Sequence, residues 1–206
     1  MRLGREAMEA LQAEITGRLK PGDELIVAGA VALKGTALVA EHKYDALSKQ
    51  FSQGFLKSAM SLYQDYGVGE PPMESLEWRM AGQAGASARY AMGRGGFLSA
   101  LWKMAEASQV GLRADLRKVP IRQETIEVCE ALDINPYRFF SEGAILIGIP
   151  AGAGLAEELK RTGLMAAVIG QTNEENDRLL YSRENVRFLD RPAEDEIKGV
   201  LDLWQD

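Results

Sequence analysis

Two short runs in this chain, Glu24-Leu25-Ile26-Val27-Ala28-Gly29 and Ala144 to Ile149, are almost wholly aliphatic. A strand that is apolar on both faces has to be covered on both faces, so each run demands a sheet with helices above and below it. Leu112 to Val119 differs, because Leu112, Ala114 and Leu116 alternate with Arg113, Asp115 and Arg117, the period of a strand with one wet face. Met165 to Ile169 adds another strand, and Arg178 to Tyr181 with Val186 to Leu189 form a pair around a polar turn. Some strands are neighbours in sequence and others are separated by helices. The pattern predicts an α+β fold, a mixed β-sheet with packed helices, rather than a purely parallel doubly wound sheet.

The helices follow from apolar spacing and from their stop signals. Leu3, Ala7, Met8, Leu11, Ile15 and Leu19 recur at helical spacing up to Lys20-Pro21-Gly22-Asp23. This predicts an amphipathic arm over residues 1–19 and a domain over 20–206. Further helices are expected over Thr36 to Gln50, Phe55 to Gly67, Phe97 to Ser108, Gln123 to Leu132 and Gly154 to Thr162. Glu194, Asp195 and Glu196 form the acidic first turn of a last helix reaching Trp204, as helix-dipole logic asks. Gly69 to Pro72 is loop, because neither proline fits inside a helix. Met73 to Ala81 reads equally as a helical turn or an irregular arm.

Composition narrows the function classes. Hydrophobic residues are 46% and charged residues 26% of the 206-residue chain, an ordinary globular balance. A net charge of -6 and a pI near 5.1 argue against nucleic acid, since phosphate-backbone binding needs a concentrated basic surface. A single cysteine, Cys129, and a single histidine, His42, leave neither an intrachain disulfide nor a thiolate–imidazole metal cage. No metal ligand and no cofactor is therefore assigned, and a reducing cytoplasm is the expected compartment. The first residues lack the apolar core of a signal peptide, and no run is long enough to span a bilayer. His42 reads as a solvated surface group, and Cys129, Trp102, Phe139 and Phe140 read as core.

One stretch carries most of the functional signal. Tyr90-Ala91-Met92-Gly93-Arg94-Gly95-Gly96-Phe97 turns an extended segment through three glycines into a strongly patterned helix. Glycines allow close backbone approach, and a helix start offers unpaired N–H groups with partial positive charge. Gly93, Gly95 and Gly96 are thus candidates to hold a phosphate or carboxylate, with Arg94 as counter-charge; the competing reading is a tight packing turn. Gly35 and Thr36, at the expected start of an earlier helix, are a second and weaker anion candidate. Glu142, between Ser141 and Gly143 just before a buried strand, is placed for partial desolvation and for acid, base or hydroxyl-accepting work.

Several of these elements occur together in a familiar order. Lys20-Pro21-Gly22-Asp23 precedes an aliphatic strand, and Gly95-Gly96 precedes Ala100-Leu101-Trp102-Lys103-Met104-Ala105-Glu106-Ala107-Ser108. Gly111, Val119-Pro120-Ile121, Cys129-Glu130-Ala131-Leu132, Asn135-Pro136 and Ser141-Glu142-Gly143 follow. This pattern resembles the C-terminal domain of the AIR synthase superfamily, and most of all its hydrogenase maturation carbamoyl dehydratase branch. The resemblance implies a three-layer α/β/α domain, partly ferredoxin-like. In complete enzymes such a domain sits beside an N-terminal domain that supplies most of the ATP site, holds magnesium through aspartates and mediates dimerisation. Residues 1–19 contain no aspartate and leave no room for that domain.

A second departure lies in the glycine stretch. Relatives of the hydrogenase type carry His-Asp-Pro-Thr-x-Gly-Gly where this chain has Tyr90 to Gly96. The shaping glycines remain, while the His, Asp and Thr are gone. The resemblance so modified implies a small-anion (phosphate or nucleotide fragment) or partner-binding protein without catalytic residues and without ATPase activity of its own. The alternatives are a subunit that completes a nucleotide-dependent enzyme with a separate N-terminal-domain protein, and a purely structural assembly protein. Surfaces normally covered by the missing domain lead to the expectation of a homodimer, with the leader helix lying either on its own domain or on a partner subunit.

Overall fold

The computed structural model describes residues 3–201, and among them eight strands form one mixed sheet. In chain order the elements are α1 (Arg5–Ala13), β1 (Thr16–Gly17), β2 (Glu24–Ala28), α2 (Leu33–His42), α3 (Tyr44–Leu47), α4 (Gln53–Tyr66), α5 (Leu76–Gln83), β3 (Ala88–Ala91) and α6 (Gly96–Ser108). They continue as β4 (Gly111–Asp115), α7 (Gln123–Ala131), β5 (Ile145–Ile149), α8 (Gly152–Arg161), β6 (Ala166–Asn173), β7 (Arg178–Ser182), β8 (Asn185–Phe188) and α9 (Ile197–Val200). The strand order is β1-β3-β5-β2-β6-β4-β7-β8, antiparallel throughout except for the parallel β4–β7 pair.

The two aliphatic runs lie at the centre as β2 and β5, paired along their length with Ile26 opposite Ile147. Period-two alternation sends Leu25 and Val27 into one core, with Leu101 and Met104 of α6, and Ile26 and Ala28 into another, with Trp78 of α5 and Leu159 of α8. That is the two-sided cover the composition of β2 requires. A third cluster joins Val39, Leu56, Val128 and Cys129 of α2, α4 and α7 to Phe139, Phe140 and Ile197. Cys129 and Phe139 are buried there, Trp102 is half-buried, and His42 is exposed on the surface. Burial pushes the Cys129 thiol up to about 12, well away from a reactive thiolate.

Several element boundaries differ from the sequence expectation. The leader helix ends at Ala13, not Leu19, because Thr16–Gly17 leave it to pair with Ala88 and Arg89 of β3. The leader lies on its own domain: Leu11, Ile15 and Leu19 are buried in the α6 core, and Gln12 Nε2 donates to Ala107 O at 3.2 Å. The helix expected at Thr36 begins at Leu33, after Ala32 takes a left-handed conformation, and it breaks at Lys43. Gly35 and Thr36 therefore sit inside α2 and do not open it. The strand expected to reach Val119 stops at Asp115, whose side chain accepts from Arg117 N–H and starts a 3-10 turn over Leu116–Lys118.

The undecided stretch at Met73 to Ala81 holds α5, capped by Ser75 Oγ accepting from Trp78 N–H at 3.1 Å. Strand β6 runs on to Asn173, four residues past Ile169, because both β2 and β4 pair with it. The last expected helix is only α9: it begins at Ile197, after Glu194 to Glu196 and not within them, and Leu201 is already extended, while residues 202–204 lie outside the described residues.

Leu11→Ala removes a side chain only 6% exposed from the contact between α1 and α6. It is expected to cost about 2–3 kcal/mol, near the lower end for buried leucines because the helix can settle inward. Urea unfolding of the two proteins measures the loss.

Candidate functional site

The segment Phe139 to Gly143 brings the predicted residues together. It enters β5 from a 3-10 turn at Pro136–Arg138, which Asn135 caps by accepting from Tyr137 N–H. Its backbone then bonds to two helix starts at once. Phe140 O accepts from Gly35 N–H at 3.0 Å, on α2, and Ser141 N–H donates to Gly93 O at 3.1 Å, in the turn before α6. The Ser141 hydroxyl, fully buried, accepts from Ala32 N–H at 2.9 Å and donates to Phe139 O at 2.8 Å. The Gly93–Gly96 turn, the Ser141–Gly143 loop and the first turn of α2 thus form one cluster.

Two glycines in the cluster are required by close approach. Gly96 has φ of +64°, and a Cβ there would lie 2.6 Å from Phe139 O. A Cβ on Gly35 would lie 2.9 Å from both the Phe139 ring and Phe140 O. Gly93 is different, because a Cβ there would meet nothing within 4 Å. The turn is therefore tight where α6 meets the Phe139 segment and open at Gly93.

One amide of this turn, that of Gly95, already holds a carboxylate together with amides from two other segments. Asp195, only 7% exposed, folds back from the chain's far end, and its Oδ2 accepts from Gly95 N–H at 2.6 Å. Its Oδ1 accepts from Ile197 N–H at 2.9 Å, Phe140 N–H also donates to the carboxylate, and the Arg94 charge acts on it favourably. Three amides and a guanidinium are what a bound phosphate oxygen would be offered at such a helix start.

Glu142 forms a separate edge of the cluster. Tyr63 Oη donates to Glu142 Oε1 at 2.8 Å, and Lys34 Nζ lies 4.0 Å from the same oxygen and 3.9 Å over the Tyr63 ring. The carboxylate side chain is 38% exposed, so this ion pair is worth little by itself. Thr36 is turned inward: its hydroxyl is fully buried and bonds Ala32 O at 2.8 Å and Thr125 Oγ1 at 3.1 Å. Among the described residues, no group of three or more His, Cys, Asp or Glu is placed to hold a metal ion.

Asp195 and Tyr63 are the site residues that sequence reasoning missed. Asp195 was expected only as one of three acidic residues opening the last helix, and nothing local distinguishes it from Glu194 or Glu196. Tyr63 lies inside the helix expected over Phe55 to Gly67, with nothing local to single it out. No spacing signal links position 195 to position 95.

Burial is the largest influence on the Asp195 carboxyl and pushes it above its ordinary value, outweighing the Ile197, Gly95 and Phe140 amides and the Arg94 charge. A carboxyl raised in the folded state binds its proton more tightly there. It contributes stability that is fully present below the unfolded value and is lost as pH rises through the folded one. Relative to Asp195→Asn, the wild-type protein is therefore expected to gain stability on acidification from about pH 7 towards about pH 4. Paired urea titrations check the sign. Ser141→Ala leaves the buried Ala32 amide without its acceptor and is expected to cost about 1–3 kcal/mol, read by the same method.

Comparison with known proteins agrees with this architecture. Residues 20–181 match the family described as AIR synthase related protein, C-terminal domain. The chain is 28% identical over 159 residues to carbamoyl dehydratase HypE from Rhodobacter capsulatus, covering 75% of this chain and 43% of that protein. It is 30% identical over 112 residues to a putative hydrogenase expression/formation protein from Methanocaldococcus jannaschii, covering 52% of this chain and 33% of that protein. Among solved structures, the HypE–HypF complex superposes with a TM-score of 0.63 at 20% identity, covering 85% of this chain and 54% of the other. Thiamine monophosphate kinase from Aquifex aeolicus superposes with a TM-score of 0.55 at 20% identity, covering 82% and 53%. The chain thus spans about half the length, or less, of the proteins it matches.

Proposed function

The chain belongs to the family of AIR synthase related proteins, as their C-terminal domain, and from that premise we propose that it binds a small phosphate-bearing ligand at the Gly93–Gly96 turn and does not turn over ATP on its own. The observation that carries the reading is the Asp195 carboxylate seated on the Gly95 amide beside Arg94. The chain's own side chain occupies a nest of amides suited to a phosphate oxygen. Gly93 leaves open space next to it, and Glu142 with Tyr63 and Lys34 lines the adjoining loop.

Turnover needs groups that take protons or hold magnesium, and the turn carries none. Tyr90, Ala91 and Gly93 stand where the resemblance calls for histidine, aspartate and threonine. A second reading is that the chain completes a nucleotide-dependent enzyme with a separate N-terminal-domain protein, in keeping with its match to carbamoyl dehydratase HypE. Both readings place it in the cytoplasm, in keeping with a buried, unreactive Cys129. A homodimer that covers the surfaces an N-terminal domain would otherwise cover is part of this reading, with the leader lying on its own α6.

Calorimetric titration of wild type and Asp195→Ala with inorganic phosphate and AMP tests the proposal. With the internal carboxylate removed, phosphate is expected to bind at least about tenfold more tightly than to wild type, and to raise the melting temperature of the variant by mass action. Neither protein is expected to release phosphate from ATP with magnesium. Absence of binding to both proteins would remove the ligand reading, and metal-dependent ATP turnover by the pure chain would remove the claim of inactivity.

A further inference from the structure

The sheet ends on β8, which pairs with β7 alone among the described residues. The register of that pair decides which backbone groups remain free. Leu189 N–H donates to Arg178 O at 2.8 Å, and Leu180 pairs with Arg187 and Ser182 with Asn185. Residues 185, 187 and 189 therefore turn their polar groups toward β7. Antiparallel alternation turns the N–H and C=O of Val186 and Phe188 outward, two donors and two acceptors along an open edge.

The side chains on this edge are arranged for a partner strand. Val186 is 53% exposed and Phe188 62% exposed, and the period of two puts them on the same face of the sheet. Arg187 projects to the other face, in register with buried Leu180, where it borders a small cavity with Arg138 and Arg191. None of these three arginines is in an ion pair among the described residues.

We propose that β8 is a docking edge that accepts an extended segment of another protein carrying an apolar–acidic–apolar triplet. The backbone of that segment bonds to Val186 and Phe188, its apolar side chains cover theirs, and its carboxylate faces Arg187. Charge complementarity selects this occupant over a second copy of the chain. The two-fold register that pairs Val186 with Phe188 of a copy sets Arg187 directly against Arg187, and like charges directly opposite are destabilising. Edge strands commonly use such a charge to prevent self-pairing, and the same charge attracts an acidic partner strand.

The test is an amide NMR titration of the full chain with the synthetic peptide acetyl-Thr-Val-Glu-Val-Thr-amide and with its Glu-to-Lys counterpart. The acidic peptide is expected to slow hydrogen exchange at the Val186 and Phe188 amides, and to bind at least about fivefold more tightly than the lysine peptide. Val186→Pro removes one outward donor without breaking a bond to β7, and should abolish binding. Arg187→Glu, which keeps every backbone donor, should reverse the preference between the two peptides. The proposal is overturned by unchanged exchange at Val186 and Phe188, or by equal affinity for both peptides. It is equally overturned if those two amides become protected without peptide as protein concentration rises, since the edge would then pair with itself.

Discussion

The backbone of Phe139 to Ser141 is the joint on which the rest of this domain depends. Its carbonyl at Phe140 fixes α2 through Gly35, and its amide at Ser141 fixes the turn before α6 through Gly93. The buried Ser141 hydroxyl closes the left-handed start of α2 at Ala32. An irregular buried segment has to place every one of its polar groups, and this one places them on two helix starts that lie far apart in the chain. The helix ends converge because one short loop supplies the partners both need.

Asp195 adds a third segment to that joint. A carboxylate this deeply buried is costly, and the upward displacement of its proton equilibrium shows that burial outweighs the amides around it. The carboxylate's contacts also serve the fold, by tying the segment after β8 to the start of α6. Fold and candidate site therefore share atoms, and a change at Gly95 or Phe140 acts on both.

Much of the architecture was legible because burial imposes local patterns. The unbroken apolar character of β2 and β5 announced a sheet covered on both faces, and the alternation in β4 announced a strand with one wet face. The spacing in α6 located the helix behind the glycine turn to within a residue. Boundaries were less legible wherever a distant partner sets them. The leader helix stops early because β3 takes up Thr16 and Gly17, and β6 runs long because it has strands on both sides. Helix α2 starts before its glycine because Ser141, far along the chain, satisfies Ala32.

The sequence by itself determined the fold class and the glycine turn, because these depend on residue type and short spacing. Only the tertiary structure decided that Gly93, Gly35 and Ser141 meet in one cluster, that Thr36 faces inward, and that Asp195 sits on the Gly95 amide. It also decided that Val186 and Phe188 present their backbone groups to an open edge, since strand order and register set which bonds remain unmade. The physical reason is the same in each case. Hydrophobic period is written along the chain, whereas the partner of a buried amide or carboxylate is chosen by which segments the packed core brings within 3 Å or so of one another.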